Sequence, residues 1–536
     1  MNKIAFNIFL IFSGFLVIVV GLAVTMMLAP GADILGVRYI RSTSGSYYES
    51  ESIYCGSSGI EEFIVTCDNI PTTIKFVQSN NFTVEMNEMF NGYTKTVENP
   101  DIAVENNGNI VNFIVREYVP FVYHNRLQGS GLTVCIPIYY TGKVAVTSNK
   151  SNIVVDGLNG TLSELTITTN GKVDVSDVAI SNLNLSVGSK DVNIASGAKI
   201  TNLGIVANNA DITIVDEISE KITYKADGGS LRFKSCKELN VEATGASIGR
   251  SGEEVATVLR NATIKTNGDL ELEVKGDSII DNKNGDVVLG VEDVNYYGQT
   301  TITTSGGNIQ LNGSIYGDAV LTTKRGDITA NKLSLVEIKT MYGQIEIDSC
   351  KEGKITAGSS DVIVKSCDGT IAVSTRSGNV LLGNIDATFN GNAEISTLGG
   401  DVSITNANGS SCNVSTSSGD VSFLGSQANN TNLNIKSKKG YVKAENITGK
   451  TRIETAGEIN LLVSSAKSGI TIVGKNKDVN IQVPDDTTLN CNTAVNGKIV
   501  VFEETIKEKN YKTDENADIL VTTNKGKITV LNKFVK

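Results

Sequence analysis

From Gly142 onward the chain alternates between apolar and polar positions with a period of two. Val402 and Ile404 are interleaved with Ser403 and Thr405. A turn sequence, Asn408-Gly409-Ser410-Ser411, follows, and Val414 then leads to Thr416 and the next run, Val421-Ser422-Phe423. A period of two is that of a β-strand, and it sets Val402, Ile404, Val421 and Phe423 on one face with Ser and Thr on the other. Between the runs stands a recurrent mark: Thr, two small or polar residues, Gly, a turn-former, then Val/Ile/Leu. It reads Thr375-Arg376-Ser377-Gly378-Asn379-Val380, Thr397-Leu398-Gly399-Gly400-Asp401-Val402 and Thr416-Ser417-Ser418-Gly419-Asp420-Val421. Other copies centre on Gly171, Gly268, Gly307, Gly326, Gly343, Gly440, Gly457 and Gly526. Neighbouring copies often lie about 17 to 22 residues apart, the spacing of a stacked solenoid. The glycine is expected to supply a positive φ for a tight turn, and the Asp or Asn after it a hydrogen bond to its own backbone. Each inward aliphatic side chain contributes roughly 1.5 to 3 kcal/mol when buried. One coil cannot bury its own apolar face, whereas a stack of coils can.

The pattern therefore predicts an all-β fold, an elongated single-chain β-solenoid (β-helix) over residues 142–536. At about 20 residues per coil this stretch makes roughly 19 or 20 coils, and at about 4.8 Å per coil a rod on the order of 90 Å long. The charged stretch Phe502 to Asp518 reads as an insertion before a last strand, Lys527 to Leu531. Residues 55–141 read as an irregular β capping region. Strand-like runs (Phe63–Val65, Ile74–Val77, Val111–Val115) alternate there with polar loops, and Pro71, Pro100, Pro120 and Pro137 fall among them. A solenoid needs such a cap because an open end exposes both apolar core and unpaired strand edges. Residues 31–54, rich in Gly, Ser and Tyr, read as a linker.

Residues 1–30 read as a transmembrane anchor. No residue from Ile4 to Ala29 is charged, and as a helix the run would be roughly 39 Å long against about 30 Å of hydrocarbon. A cleaved signal peptide is the competing reading, although its apolar region is usually only about 7 to 15 residues. Lys3 faces Arg38 and Arg41 across the segment, so the charge bias is nearly balanced. The remainder, rich in Ser, Thr and Asn, suggests export: cell membrane, single-pass, with the bulk of the chain extracytoplasmic.

Composition narrows the functional classes. The net charge of −11 argues against a nucleic-acid partner, which would require a basic stripe. Eight cysteines suit an exported chain. Cys55 and Cys67 bracket a strand-like run and could close a hairpin. Cys350 and Cys367 lie one coil apart and each follows a serine, as Cys236 does, so either a staple or stacked buried thiols fits. There is no Cys-x-x-Cys pair, so a zinc site has little support.

At the join of the two regions, Leu132-Thr133-Val134-Cys135-Ile136-Pro137 is followed by Gly142-Lys143-Val144-Ala145-Val146-Thr147 and then by Asn152-Ile153-Val154-Val155-Asp156-Gly157. With the Thr-x-x-Gly-Asp-Val copies, this stretch resembles the bacterial putative adhesin domain family of unknown function. The resemblance covers most of the chain beyond residue 30. It implies a β-solenoid, a single N-terminal membrane segment and a role in adhesion, with no catalytic residues to carry over.

Catalytic constellations are sparse. His124 is the only histidine, so a Ser-His-Asp triad would have to use it. Gly245-Ala246-Ser247-Ile248-Gly249 matches a nucleophile-elbow pattern that requires a strand–turn–helix setting. Ser464 and Lys467 form an unsupported Ser-x-x-Lys. Stacked carboxylates at Asp401 and Asp420, or Asp269 and Asp286, would suit a polysaccharide-cleaving β-helix or a Ca²⁺ site. The same slot also holds Lys172, Asn308, Gln344, Asn379, Tyr441 and Lys527, which points to turn preference instead. Beyond the linker, Tyr139-Tyr140 and Tyr296-Tyr297 are the adjacent aromatic pairs available to a glycan. The expectation is thus a membrane-anchored, adhesin-like surface protein, not an enzyme, with no catalytic, cofactor or metal residues and an extracellular glycan or protein as ligand. A polysaccharide lyase or hydrolase and an envelope-stress scaffold are the alternatives.

Overall fold

The computed structural model describes the chain except for residues 1–10, 23–32, 35–36, 42–47, 89, 96–101, 116–119, 127–130, 251–253, 387, 427–429, 495–496 and 533–536. It is an all-β solenoid, as the alternation predicts. The chain forms two compact units, residues 1–246 with 250–254 and residues 247–249 with 255–536.

In the first unit each coil lays its strands parallel on those of the next. Val173–Val187 pairs with Ile153–Thr169 on one side and with Lys199–Ala207 on the other. In-register inward positions form apolar columns, such as Leu183, Leu203, Ile222 and Leu239, all 2% exposed or less. Parallel stacking begins upstream of Gly142. Glu62–Cys67 pairs parallel with Lys143–Ser148, and Thr72–Val77 pairs parallel with the start of Ile153–Thr169. The other edges of this coil carry Ile110–Val115 and Gly131–Pro137, again parallel. A coil late in sequence therefore lies outside an earlier one. Its outer edges are closed by antiparallel strands, Ile102–Asn107 on Ile110–Val115 and Asn81–Glu88 on Gly131–Pro137. The stretch expected to be a linker, 31–54, contains strands. Val37–Arg41 pairs antiparallel with Phe90–Lys95, and Tyr48–Gly56 with Asn81–Glu88.

The second unit repeats the plan. Val402, Ile404, Val421 and Phe423 point inward with 3% exposure or less, on the face the alternation assigns to them. Near the C terminus the order in space again departs from the order in sequence. Ile519–Thr523 lies between Ile470–Gly474 and Leu489–Thr493, and Ile528–Asn532 lies between Val479–Val483 and Ile499–Val501. The charged stretch expected to be an insertion is a cap. Glu504–Ile506 turns back antiparallel on Ile499–Val501 through Phe502 and Glu503 (φ 48° and 71°), and Asn510–Lys512 covers Leu489–Thr493. Edge strands present unpaired N–H and C=O groups that recruit other chains, and these short charged strands occupy them.

Among the described residues no helix is long and apolar enough to cross a membrane. Their helix covers residues 11–22. The rest of the expected anchor lies outside the described residues.

Candidate functional site

The recurrent mark forms one corner of the coil. The Thr hydroxyl points inward and accepts the amide of the glycine three residues on: Thr375 from Gly378 (3.1 Å), Thr397 from Gly400 (3.1 Å), Thr416 from Gly419 (3.0 Å) and Thr523 from Gly526 (3.1 Å). Asn282 performs the same task for Gly285. At two copies the glycine is required for a reason other than the expected one. A Cβ on Gly400 would lie 1.8 Å from the carbonyl oxygen of Gly378, and one on Gly419 would lie 1.9 Å from that of Gly400. Neither residue has a positive φ. Coil-to-coil contact, not turn handedness, excludes a side chain there, whereas Gly343 combines such a contact (2.3 Å to the Gly326 carbonyl oxygen) with the expected positive φ of 111°. Where Val187, Ala207, Ala226 and Ala243 replace the threonine in register with Thr169, the mark vanishes from the sequence, yet stacking continues.

The acidic slot after the glycine is a ladder between coils. Asp269 Oδ1 accepts the amide of Asp286 (3.0 Å), Asp286 that of Asn308 (2.8 Å), Asn308 that of Asp327 (2.9 Å) and Asp327 that of Gln344 (2.7 Å). A second run links Asp361, Asn379, Asp401, Asp420 and Tyr441 at 2.7 to 2.9 Å. Lys527 donates its amide to Asp478, and Lys172 donates its amide to Asn152. Each bond goes to the next coil, not to the residue's own turn as expected. The mixed composition of the slot follows directly. Asp and Asn are short acceptors that extend the ladder, whereas Gln344, Tyr441 and Lys527 contribute a backbone amide to it.

Two shallow troughs of small polar side chains lie on outward faces of the second unit. One, of about 440 Å³, follows the in-register row Thr356, Ser374, Ser396, Ser415 and Lys436. The other, of about 510 Å³, runs along Leu381, Ser403, Ser422 and Lys443 and is flanked by Asp401 and Asp420. The register that aligns these serines links residues about a coil apart, so no local motif announces either trough.

The remaining candidates separate. Ser247 opens a short strand, Ser247–Gly249, not a strand–turn–helix elbow. Ser464 and Lys467 lie in the turn after Ile459–Val463. His124 falls within the strand Pro120–Arg126, but its side chain lies outside the described residues. Each tyrosine pair splits as period two demands. Tyr140 is buried, with its hydroxyl 2.8 Å from the Glu61 carbonyl, while Tyr139 is exposed. Tyr296 is buried, accepts the Val291 amide (2.8 Å) and donates to Glu273 (3.3 Å). Its neighbour Tyr297 stacks on Tyr316 of the next coil, with ring centroids 5.4 Å apart. Burial pushes the Tyr140, Tyr224 and Tyr296 phenols up to about 12. All eight cysteines are free thiols. Cys55 and Cys67 do not close a hairpin, because Glu62–Cys67 is a single strand inside a parallel stack and Cys55 pairs in register with Phe82. Burial pushes the Cys236, Cys412 and Cys491 thiols up to about 12. Among the described residues no group of three His, Cys, Asp or Glu side chains converges as a metal site.

Residues 365–531 match the family model described as Toastrack DUF4097, which takes in the second polar trough and all of the first except Lys354, Ile355 and Thr356. No curated protein matches the chain. Among solved structures, the chain is similar to a "putative cell adhesion protein" from Clostridium sporogenes at 13% identity, covering 37% of this chain and 97% of that one, with a TM-score of 0.23.

Proposed function

We propose that this protein is a non-catalytic, adhesin-like interaction scaffold displayed outside the cytosol. The observation that carries this reading is the use of its carboxylates. Asp269, Asp286, Asp401 and Asp420, the residues best spaced for acid–base or cation chemistry, each hold a backbone amide of the neighbouring coil. A carboxylate oriented by that bond is a structural acceptor. In each unit a cap of antiparallel strands covers edge strands that would otherwise recruit other chains, which leaves the outward faces of its coils for partners. On those faces the serine rows are shallow and run across several coils, suiting an extended, hydroxyl-rich polymer such as a glycan held by many weak contacts. The net charge of −11 disfavours nucleic acid. The uncharged run from Ile4 to Ala29 supports attachment to, or export through, a membrane.

The test is to screen the purified chain on glycan and matrix-protein arrays alongside polysaccharide-cleavage assays, with cell fractionation for location. Saturable capture without turnover, lost in Ser396→Trp, which fills the first trough, is the expected result. Turnover of a polysaccharide, or recovery of the chain from the cytosol, overturns the proposal.

A further inference from the structure

Cys350 and Cys367 face each other across adjoining parallel strands, Ile345–Ala357 and Val362–Cys367, as direct register partners. Both are buried, 4% and 0% exposed, on the inward-facing positions of their strands. The Cys367 Sγ also lies 3.6 Å from the Lys351 carbonyl oxygen. The other buried cysteines have no such neighbour in register: Cys236 pairs with Ile218, Cys412 with Ala393 and Leu433, Cys491 with Val521, and Cys67 with Ser148 and Val115. Adjacent strands lie about 4.8 Å apart, inside the Cα separation of about 4.4 to 6.8 Å that a disulfide spans.

We propose that Cys350 and Cys367 form a disulfide that covalently joins two consecutive coils when the chain meets a small-molecule disulfide in an oxidising compartment. Either thiol can begin the exchange once ionised, and the steps are equivalent with Cys350 leading. The Cys367 thiolate attacks one sulfur of the incoming disulfide, breaking its S–S bond, forming a mixed disulfide and releasing one thiol. Cys350 then gives up its proton and attacks Cys367 Sγ, expelling the second thiol. One external disulfide is reduced to two thiols, and two protein thiols are oxidised to one bond. Because both sulfurs are inside the coil, the exchange belongs to folding or to local opening, not to the closed stack.

The full chain, reduced and unfolded, is refolded in mixed oxidised and reduced glutathione. It is then alkylated and digested without reductant for mass analysis. The expected product is a peptide pair containing Cys350 and Cys367, lighter by two hydrogens than the sum of its parts, with the other six cysteines alkylated. In Cys350→Ser, Cys367 is expected as a free thiol or a glutathione adduct, not linked to another cysteine. If refolding yields no folded protein, the native chain held with oxidised glutathione in mild denaturant is expected to accumulate the same linkage slowly. Alkylation of both cysteines after oxidation, or cross-links spread among other cysteines, overturns the proposal. Neither result bears on ligand capture at the serine troughs.

Discussion

Substituting Gly400 by alanine tests the physical account of the repeat directly. The added methyl would stand 1.8 Å from the Gly378 carbonyl oxygen, 2.5 Å from its carbon and 3.1 Å from the Asn379 nitrogen. All three are backbone atoms of the preceding coil, so no flexible side chain can swing away. The two coils must separate locally. Overpacking of this kind costs about 1–3 kcal/mol. Separation also stretches the bond from the Asp401 amide to Asn379 of the preceding coil, worth about 0.5–1.5 kcal/mol. The sum is roughly 1.5–4.5 kcal/mol, and at 1.4 kcal/mol per tenfold the lower end already corresponds to about tenfold. A solenoid stores its stability locally, so a single global unfolding midpoint is a poor readout. Hydrogen–deuterium exchange of the full chain is the appropriate assay, with peptides covering residues 378–425 expected to exchange at least about tenfold faster. Gly245→Ala is the control. Gly245 has a φ of +78° and no atom within 4 Å of the added methyl, so its cost is a left-handed alanine, about 1–2 kcal/mol, confined to its own turn. If Gly400→Ala leaves exchange in the Gly378 coil unchanged, close approach is not why glycine stands there.

Thr416→Val keeps the shape but removes the acceptor for the Gly419 amide. It should destabilise that corner by about 1–3 kcal/mol, measured by exchange of the same peptides, whereas Thr416→Ser should be nearly neutral. Ending the chain after Asn516 removes Ile519, Val521, Ile528 and Val530, each 0% exposed. At about 1.5–3 kcal/mol per side chain the loss is about 6–12 kcal/mol, and dye binding with protease cleavage within residues 459–501 should report it. The raised phenols of Tyr140, Tyr224 and Tyr296 favour the neutral form in the folded chain. Their contribution to stability is complete below the unfolded value near 10 and is lost as pH rises toward about 12. Ultraviolet titration should therefore show a late phenolate fraction near 12, and denaturant resistance should fall across that same interval.

Alternation of apolar with small polar residues determines a strand, and a mark repeated at coil spacing determines a stack, because no single coil buries its own apolar face. That much is local, and Val402, Ile404, Val421 and Phe423 occupy the face their spacing assigns. The expectations that needed revision all concern neighbours distant in sequence. Gly400 reads as a turn glycine until Gly378 is brought against it, and Asp401 as a self-capping turn residue until the Asp420 amide arrives from the next coil. Tyr296-Tyr297 reads as a paired platform, yet period two turns one ring inward and gives the other a partner, Tyr316, from the next coil. The same holds at the ends, where strand edges are satisfied by whichever segment can reach them. For that reason Ile519–Thr523 enters between earlier coils, and Glu504–Ile506 and Asn510–Lys512 become a cap. Sequence periodicity determines what each coil looks like; only the stacked structure decides which coil lies beside which, and hence which serines, carboxylates and thiols meet.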